Sequence, residues 1–152
     1  MDTLDLKNFI VKIPAMRKNF KGVFTTDELV KLKGNKDQKP AIIIYTDKFK
    51  TDNIGHWVCV FLGEIPEFYD PLGHDPSYYS ENIYNFLLQN DDKYIYSSHI
   101  TQGNESINCG LFVLYFLFFR CHNIPYQSIV DSFSTNYEKN DNIVERLYYS
   151  FI

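Results

Sequence analysis

The stretch QGNESINCGLFVLYFLFF, Gln102 to Phe119, joins a polar, glycine-containing half to an unbroken apolar half, with Cys109 at the seam. From Cys109 to about Cys121 the residues are apolar nearly all round, which predicts a fully buried central helix, and Pro125 follows its end. The apolar run Leu111–Phe119 is nine residues long, whereas a membrane helix needs about 20, so no membrane span is expected. On position alone Cys109 has two readings. It is either a small buried hydrophobe at a helix start, or a nucleophile whose thiolate is favoured by the helix N-terminus. Asn108 or Ser106 is placed to cap the same turn, and Gly110 would leave room for a substrate backbone.

The rest of the chain supplies what packs on that helix. AIIIY (41–45) and HWVCVFL (56–62) read as buried strands. GEIP turns the chain and EFYD (67–70) returns, so the last two runs predict a hairpin. TTDELVKLK (25–33) predicts a short helix with capping-box spacing between Thr25 and Glu28, and GNKDQKP (34–40) an exposed loop. SENIYNFLLQN (80–90) predicts a helix capped by Ser80, with Ile83, Phe86, Leu87 and Asn90 on one face. KYIYSSHI (93–100) reads as a further strand. In the tail, Ile143, Leu147 and Phe151 form one helical stripe with Val144 and Tyr148 beside it. The sum is one α+β domain over residues 1–152: a small central sheet, a buried central helix and flanking helices.

Composition narrows the function class. Hydrophobic residues make up 45% of the chain, enough for a real core, and 12 Tyr with 13 Phe make that core aromatic. A net charge of −4 argues against a general nucleic-acid binder. Residues 1–50 nevertheless hold 11 Lys+Arg against 6 Asp+Glu, and the remainder 4 against 13. That leaves an ordinary charged surface or a basic face for an anionic partner. Three cysteines, an odd number, and an acidic start without a signal-peptide pattern predict a reduced protein that is not secreted.

A nucleophile needs a base. Of His56, His74, His99 and His122, the first opens a strand after a glycine, and Asp70 ends the partner strand, where a carboxylate would fix the imidazole. His122 follows the central helix, where a cation suits the C-terminus. Gln102 offers an amide donor to an oxyanion, together with the Cys109 N–H. His56 and Cys59 lie three apart on a strand, so they point to opposite faces and cannot chelate together. No pair has zinc spacing, and neither metal nor cofactor is expected.

Taken together and in this order, GHW (55–57), FYDPLG (68–73) and QGNESINCGLF (102–112) resemble the adenovirus-type maturation proteases. Relatives of these occur in virophages and Maverick/Polinton-type elements, and the same clan holds proteases acting on SUMO and related ubiquitin-like proteins. The resemblance covers residues 55 to about 119, with a weaker echo in FKGVFTTDEL (20–29). It implies the papain-like adenovirus-protease fold, Cys109 as nucleophile, His56 as general base and acid, Asp70 orienting His56, and Gln102 in the oxyanion hole. Trp57 and Gly110 would line the substrate cleft. Asp70 departs from the adenoviral branch, which carries Glu there, and matches the SUMO-protease branch. The implied function is a viral or mobile-element cysteine endopeptidase that cleaves capsid or other virion precursors at Gly-containing sites. It would act in the host cytoplasm or viral factory, or packaged in the virion. The alternatives are a deconjugating protease for ubiquitin-like modifiers and an inactive binding module. No activator carries over: Cys59 and Cys121 lie in a predicted strand and helix end, and DNA stimulation through the basic N-terminal third is open but not favoured.

Overall fold

The computed structural model describes residues 1–32, 39–46 and 55–152. Among these the architecture is α+β, with a four-stranded open mixed sheet and six α-helices. Strands β1 (Phe20–Thr25), β2 (Ala41–Thr46), β3 (His56–Leu62) and β4 (Pro66–Tyr69) lie in that order across the sheet. β1 is parallel to β2, and the other pairs are antiparallel. β2 and β3 read as continuous apolar runs because both sheet faces are covered. Trp57, Cys59 and Phe61 join one core cluster, and Val58, Val60 and Leu62 the other.

The larger cluster holds the central helix α4 (Cys109–Cys121), as its apolar circumference predicts. Helices α1 (Thr3–Val11), α2 (Pro14–Asn19), α5 (Tyr126–Asp131) and α6 (Tyr137–Tyr149) pack around it. Helix α3 (Glu81–Asn90) covers the opposite face with Ile83, Phe86 and Leu87, and Ser80 caps it by accepting from the Asn82 N–H. At its far end α4 is clipped to β4: Arg120 makes paired hydrogen bonds of 2.8 and 2.9 Å to the buried Glu67 and lies over the Phe61 ring. No helix among the described residues is long and apolar enough to cross a membrane.

Three expectations change. The described part of the expected helix Thr25–Lys33, as far as Leu32, is not α-helical. The reciprocal Thr25–Glu28 bonds form, but β1 runs through Thr25 and the backbone is extended again at Leu32, so only a 3₁₀ turn, Glu28–Lys31, fits between. Lys93–Ile100 is not a strand, because Ile95 alone bridges to β4. Its N–H donates to the Pro66 carbonyl and its carbonyl accepts from Phe68, and β4 then ends in the Asp70–Gly73 turn, leaving nothing to pair with. The buried stripe of α6 is Asn140–Val144, flanked by a Tyr148 stacked on Phe9, rather than Ile143–Leu147–Phe151. Phe151 lies past the helix, against Phe9 and Phe118. Of the expected loop 34–40, only Lys39 and Pro40 lie within the described residues.

Phe116 is the keystone of the α4–sheet contact: it is fully buried, stacked on Tyr69 with ring centroids 4.7 Å apart, and edge-on to Tyr126. We expect Phe116→Ala to cost about 3–5 kcal/mol, read as a lower urea midpoint at unchanged slope. A loss below about 1 kcal/mol would contradict this packing.

Candidate active site

His56 opens β3 because Gly55 precedes it: a Cβ at Gly55 would fall within the Tyr45 ring. That ring in turn meets Trp57 edge-on. The His56 backbone is fixed from β2 by Thr46, whose hydroxyl accepts from the His56 N–H and donates to its carbonyl. The imidazole Nε2 donates to Asp70 Oδ1 at 2.7 Å, with both side chains buried. Asp70 begins a turn in which the Gly73 N–H returns to its carbonyl, with Pro71 second and Gly73 fourth, the residue order of a type I turn. Gly73 has φ +75°, and a side chain there would strike the Ser98 carbonyl. The same carboxylate also accepts from the N–H groups of Leu72 and His74 and from the Tyr79 hydroxyl, at 2.9, 3.1 and 2.7 Å. A buried carboxylate with four donors is satisfied as an anion.

Nε2 is thereby committed, which leaves the other ring nitrogen to interact with the Cys109 thiol. Burial opposes the His56 cation, but Asp70 and Cys109 outweigh it and push the imidazole up from 6.5 to about 9. Burial likewise opposes the Cys109 thiolate. The hydrogen bond and charge of His56, with the N–H groups of Trp57 and Gly110, prevail and bring the thiol below its ordinary 9.0. All three cysteines are free thiols. Burial pushes Cys59 well up and Cys121 up to about 11, so Cys109 is the one poised to ionise.

The remaining expected residues are placed less simply. Gln102 is buried beside the turn, its N–H and that of Thr101 both donating to the Pro71 carbonyl. Its Nε2 donates to the Ser106 carbonyl at 2.9 Å, and its Oε1 is buried without a partner among the described residues. Neither expected cap forms: Asn108 makes no capping bond, its amide going instead to Glu145, and Ser106 Oγ accepts from the Asn108 N–H, outside the helix, rather than from the first turn. Neither side chain therefore caps the first turn of α4. Gly110 is buried rather than open, since the place of its missing side chain is filled by Met1 and Trp57. The Trp57 indole donates to the Met1 carbonyl at 3.2 Å. His74 stacks on Tyr78, and His122 bonds to the Phe118 carbonyl at the end of α4. Among the described residues no three His, Cys, Asp or Glu side chains form a group able to hold a metal ion.

Thr46, Tyr79 and Met1 were not singled out from sequence. Thr46 ends a strand opposite His56, a pairing that only register reveals. Tyr79 and Met1 arrive from segments with no periodic link to the site.

No protein-family model matches this sequence, and no curated protein matches it. The site's own geometry sets the hydrogen-bonded His56–Asp70 pair beside Cys109, whose thiol is coupled to the imidazole.

Asp70→Asn should weaken the His56 cation and so raise the Cys109 pKa. We expect alkylation of Cys109 by iodoacetamide at pH 7, followed by mass spectrometry, to be faster than that of Cys59 and Cys121 in the native protein and markedly slower in the variant. Equal labelling of the three thiols would contradict the site.

Proposed function

We propose that the protein is a cysteine endopeptidase. The observation that carries this reading is the buried 2.7 Å His56–Asp70 contact set against a cysteine at the first turn of a buried helix. In the proposed cycle the Cys109 thiolate attacks a peptide carbonyl, and the His56 imidazolium donates its proton to the leaving amine as the carbon–nitrogen bond breaks. Neutral His56 then takes a proton from water as the water attacks the thioester, and Cys109 is released. Asp70 stays ionised and holds the ring in place. The Cys109 N–H and the Gln102 amide receive the oxyanion: Nε2 carries a second proton whose one partner is Ser106 Oγ at a long 3.4 Å.

The order His56-Trp57, Asp70-Pro71, Gln102, Cys109-Gly110, with its resemblance to adenovirus-type maturation proteases, supports assigning the papain-like fold of that family. It also supports a viral or mobile-element enzyme whose substrates are capsid or other virion precursors cut at Gly-containing sites. Met1 and Trp57, crowding Gly110, narrow the ground beside the nucleophile, which fits a glycine in the substrate.

Cys109→Ala should abolish cleavage of Gly-containing peptides with the fold retained, and Gln102→Ala should cost roughly 10²–10³ in kcat. Full activity of Cys109→Ala would sink the assignment. The kcat/KM profile should fall on the acid side as the thiolate is protonated, and again near pH 9 as His56 loses the proton it must donate. An activity that keeps rising through pH 10 would contradict the ion pair. Efficient labelling of Cys109 by an electrophilic ubiquitin-like probe, with no cleavage of precursor peptides, would point to deconjugation instead.

A further inference from the structure

Gln102 can serve an oxyanion only if its amide is held still, and Gln102 belongs to no helix or strand. The segment 101–108 that carries it touches α6 at four points. Asn140, fully buried, donates from Nδ2 to the Thr101 carbonyl at 3.0 Å and to the Ser134 carbonyl at 2.8 Å. Asp141 Oδ1 accepts from Ser106 Oγ at 2.8 Å, and Glu145 Oε1 accepts from Asn108 Nδ2 at 2.8 Å. The Tyr137 side chain lies on Gly103, where an added Cβ would sit 3.2 Å from the Tyr137 Cβ and 3.3 Å from its ring. Tyr137, Asp141 and Glu145 are spaced i, i+4, i+8, so one stripe of α6 faces the segment.

These contacts run in series. Asp141 fixes the Ser106 hydroxyl, which also accepts from the Asn108 N–H, and the Ser106 carbonyl takes the Gln102 amide. At the other end the Pro71 carbonyl accepts from the N–H groups of Thr101 and Gln102 and from the Thr101 hydroxyl. Gln102 is thus strung between the Asp70 turn and α6.

We propose that Asp141 and Glu145 of α6 are positioning residues for the oxyanion site, acting through Ser106 and Asn108 to set the Gln102 amide and the first turn of α4. This rests on the endopeptidase reading. What each carboxylate supplies is a hydrogen-bond acceptor, which a neutral amide oxygen also offers. Alanine should therefore damage the site and the amide isostere should not.

The test uses the full chain with Asp141→Ala, Glu145→Ala, Asp141→Asn and Glu145→Gln. Three quantities are read: kcat and KM on a Gly-containing peptide, inhibition by a peptide aldehyde whose hemithioacetal oxygen occupies the oxyanion site, and iodoacetamide alkylation of Cys109. The alanine variants should lose about tenfold to a hundredfold in kcat and in aldehyde affinity, the scale expected when a catalytic group is displaced by a fraction of an ångström to an ångström. KM should stay unchanged and the alkylation rate should fall far less than kcat, because His56 and Asp70 are untouched. The Asn and Gln variants should recover most of the loss. Should an alanine variant fail to fold, Ser106→Ala, which removes only the hydroxyl, should show the same split. Unchanged kcat in an active protein would overturn the proposal alone, as would equal loss of alkylation or isosteres as poor as alanine. A native protein that hydrolyses no peptide would sink the endopeptidase reading and this proposal with it.

Discussion

A buried carboxylate organises this molecule. Asp70 can be an anion in the interior only while its donors stay in place, because removing a partner from a buried charge is far more costly than the pair is worth. Its four donors come from separate stretches: His56 on β3, Leu72 and His74 in the turn, and Tyr79 from the segment before α3. Satisfying one side chain therefore fixes how the hairpin, the turn and that segment meet. Thr46 holds the His56 backbone from the next strand, and the Pro71 carbonyl collects Thr101 and Gln102.

Helix α4 shows how strongly place governs chemistry. It begins and ends with cysteine, yet the two thiols are driven in opposite directions. At Cys121 burial wins over the nearby Arg120 guanidinium, which is committed to Glu67. At Cys109 the desolvation is overcome by an imidazole that Asp70 keeps charged and by two backbone N–H groups. The Arg120–Glu67 clip and the Tyr69–Phe116 stack hold the helix to the same hairpin that carries Asp70. The position of Cys109 is thus set from both ends of α4.

Those parts of the fold whose apolar pattern is uninterrupted were legible in the sequence. β2, β3 and α4 are apolar because they are buried on most sides, with Tyr45, Tyr115, Phe118 and Phe119 half-buried, and Ser80 with Ile83, Phe86 and Leu87 marks α3. Helix α1 is an addition to the expected elements, although Asp2 and Asp5 form a capping box, followed by Leu6, Phe9 and Ile10 on one face. β1 carried little, since every residue is half-buried and its pairing with β2 slips between Phe20 and Gly22. In the site, His56, Asp70 and Cys109 could be named together because a reactive thiol needs a base and a carboxylate to orient it, and because their order resembles that of the adenovirus-type proteases. The polar partners on α6 could not, because Asn140, which donates, and Asp141 and Glu145, which accept, look like any polar helix face until the fold sets them against residues 101–108.

The central claim is that His56 is held as a cation by Asp70 on one nitrogen and Cys109 on the other. The most direct measurement is an NMR titration of the His56 ring, assigned through its loss in His56→Ala. The account predicts a ring protonated throughout the neutral range that loses its proton near pH 9, and earlier in Asp70→Asn. A His56 that titrates near 6.5, the value of a free imidazole, and is unmoved by Asp70→Asn would contradict it.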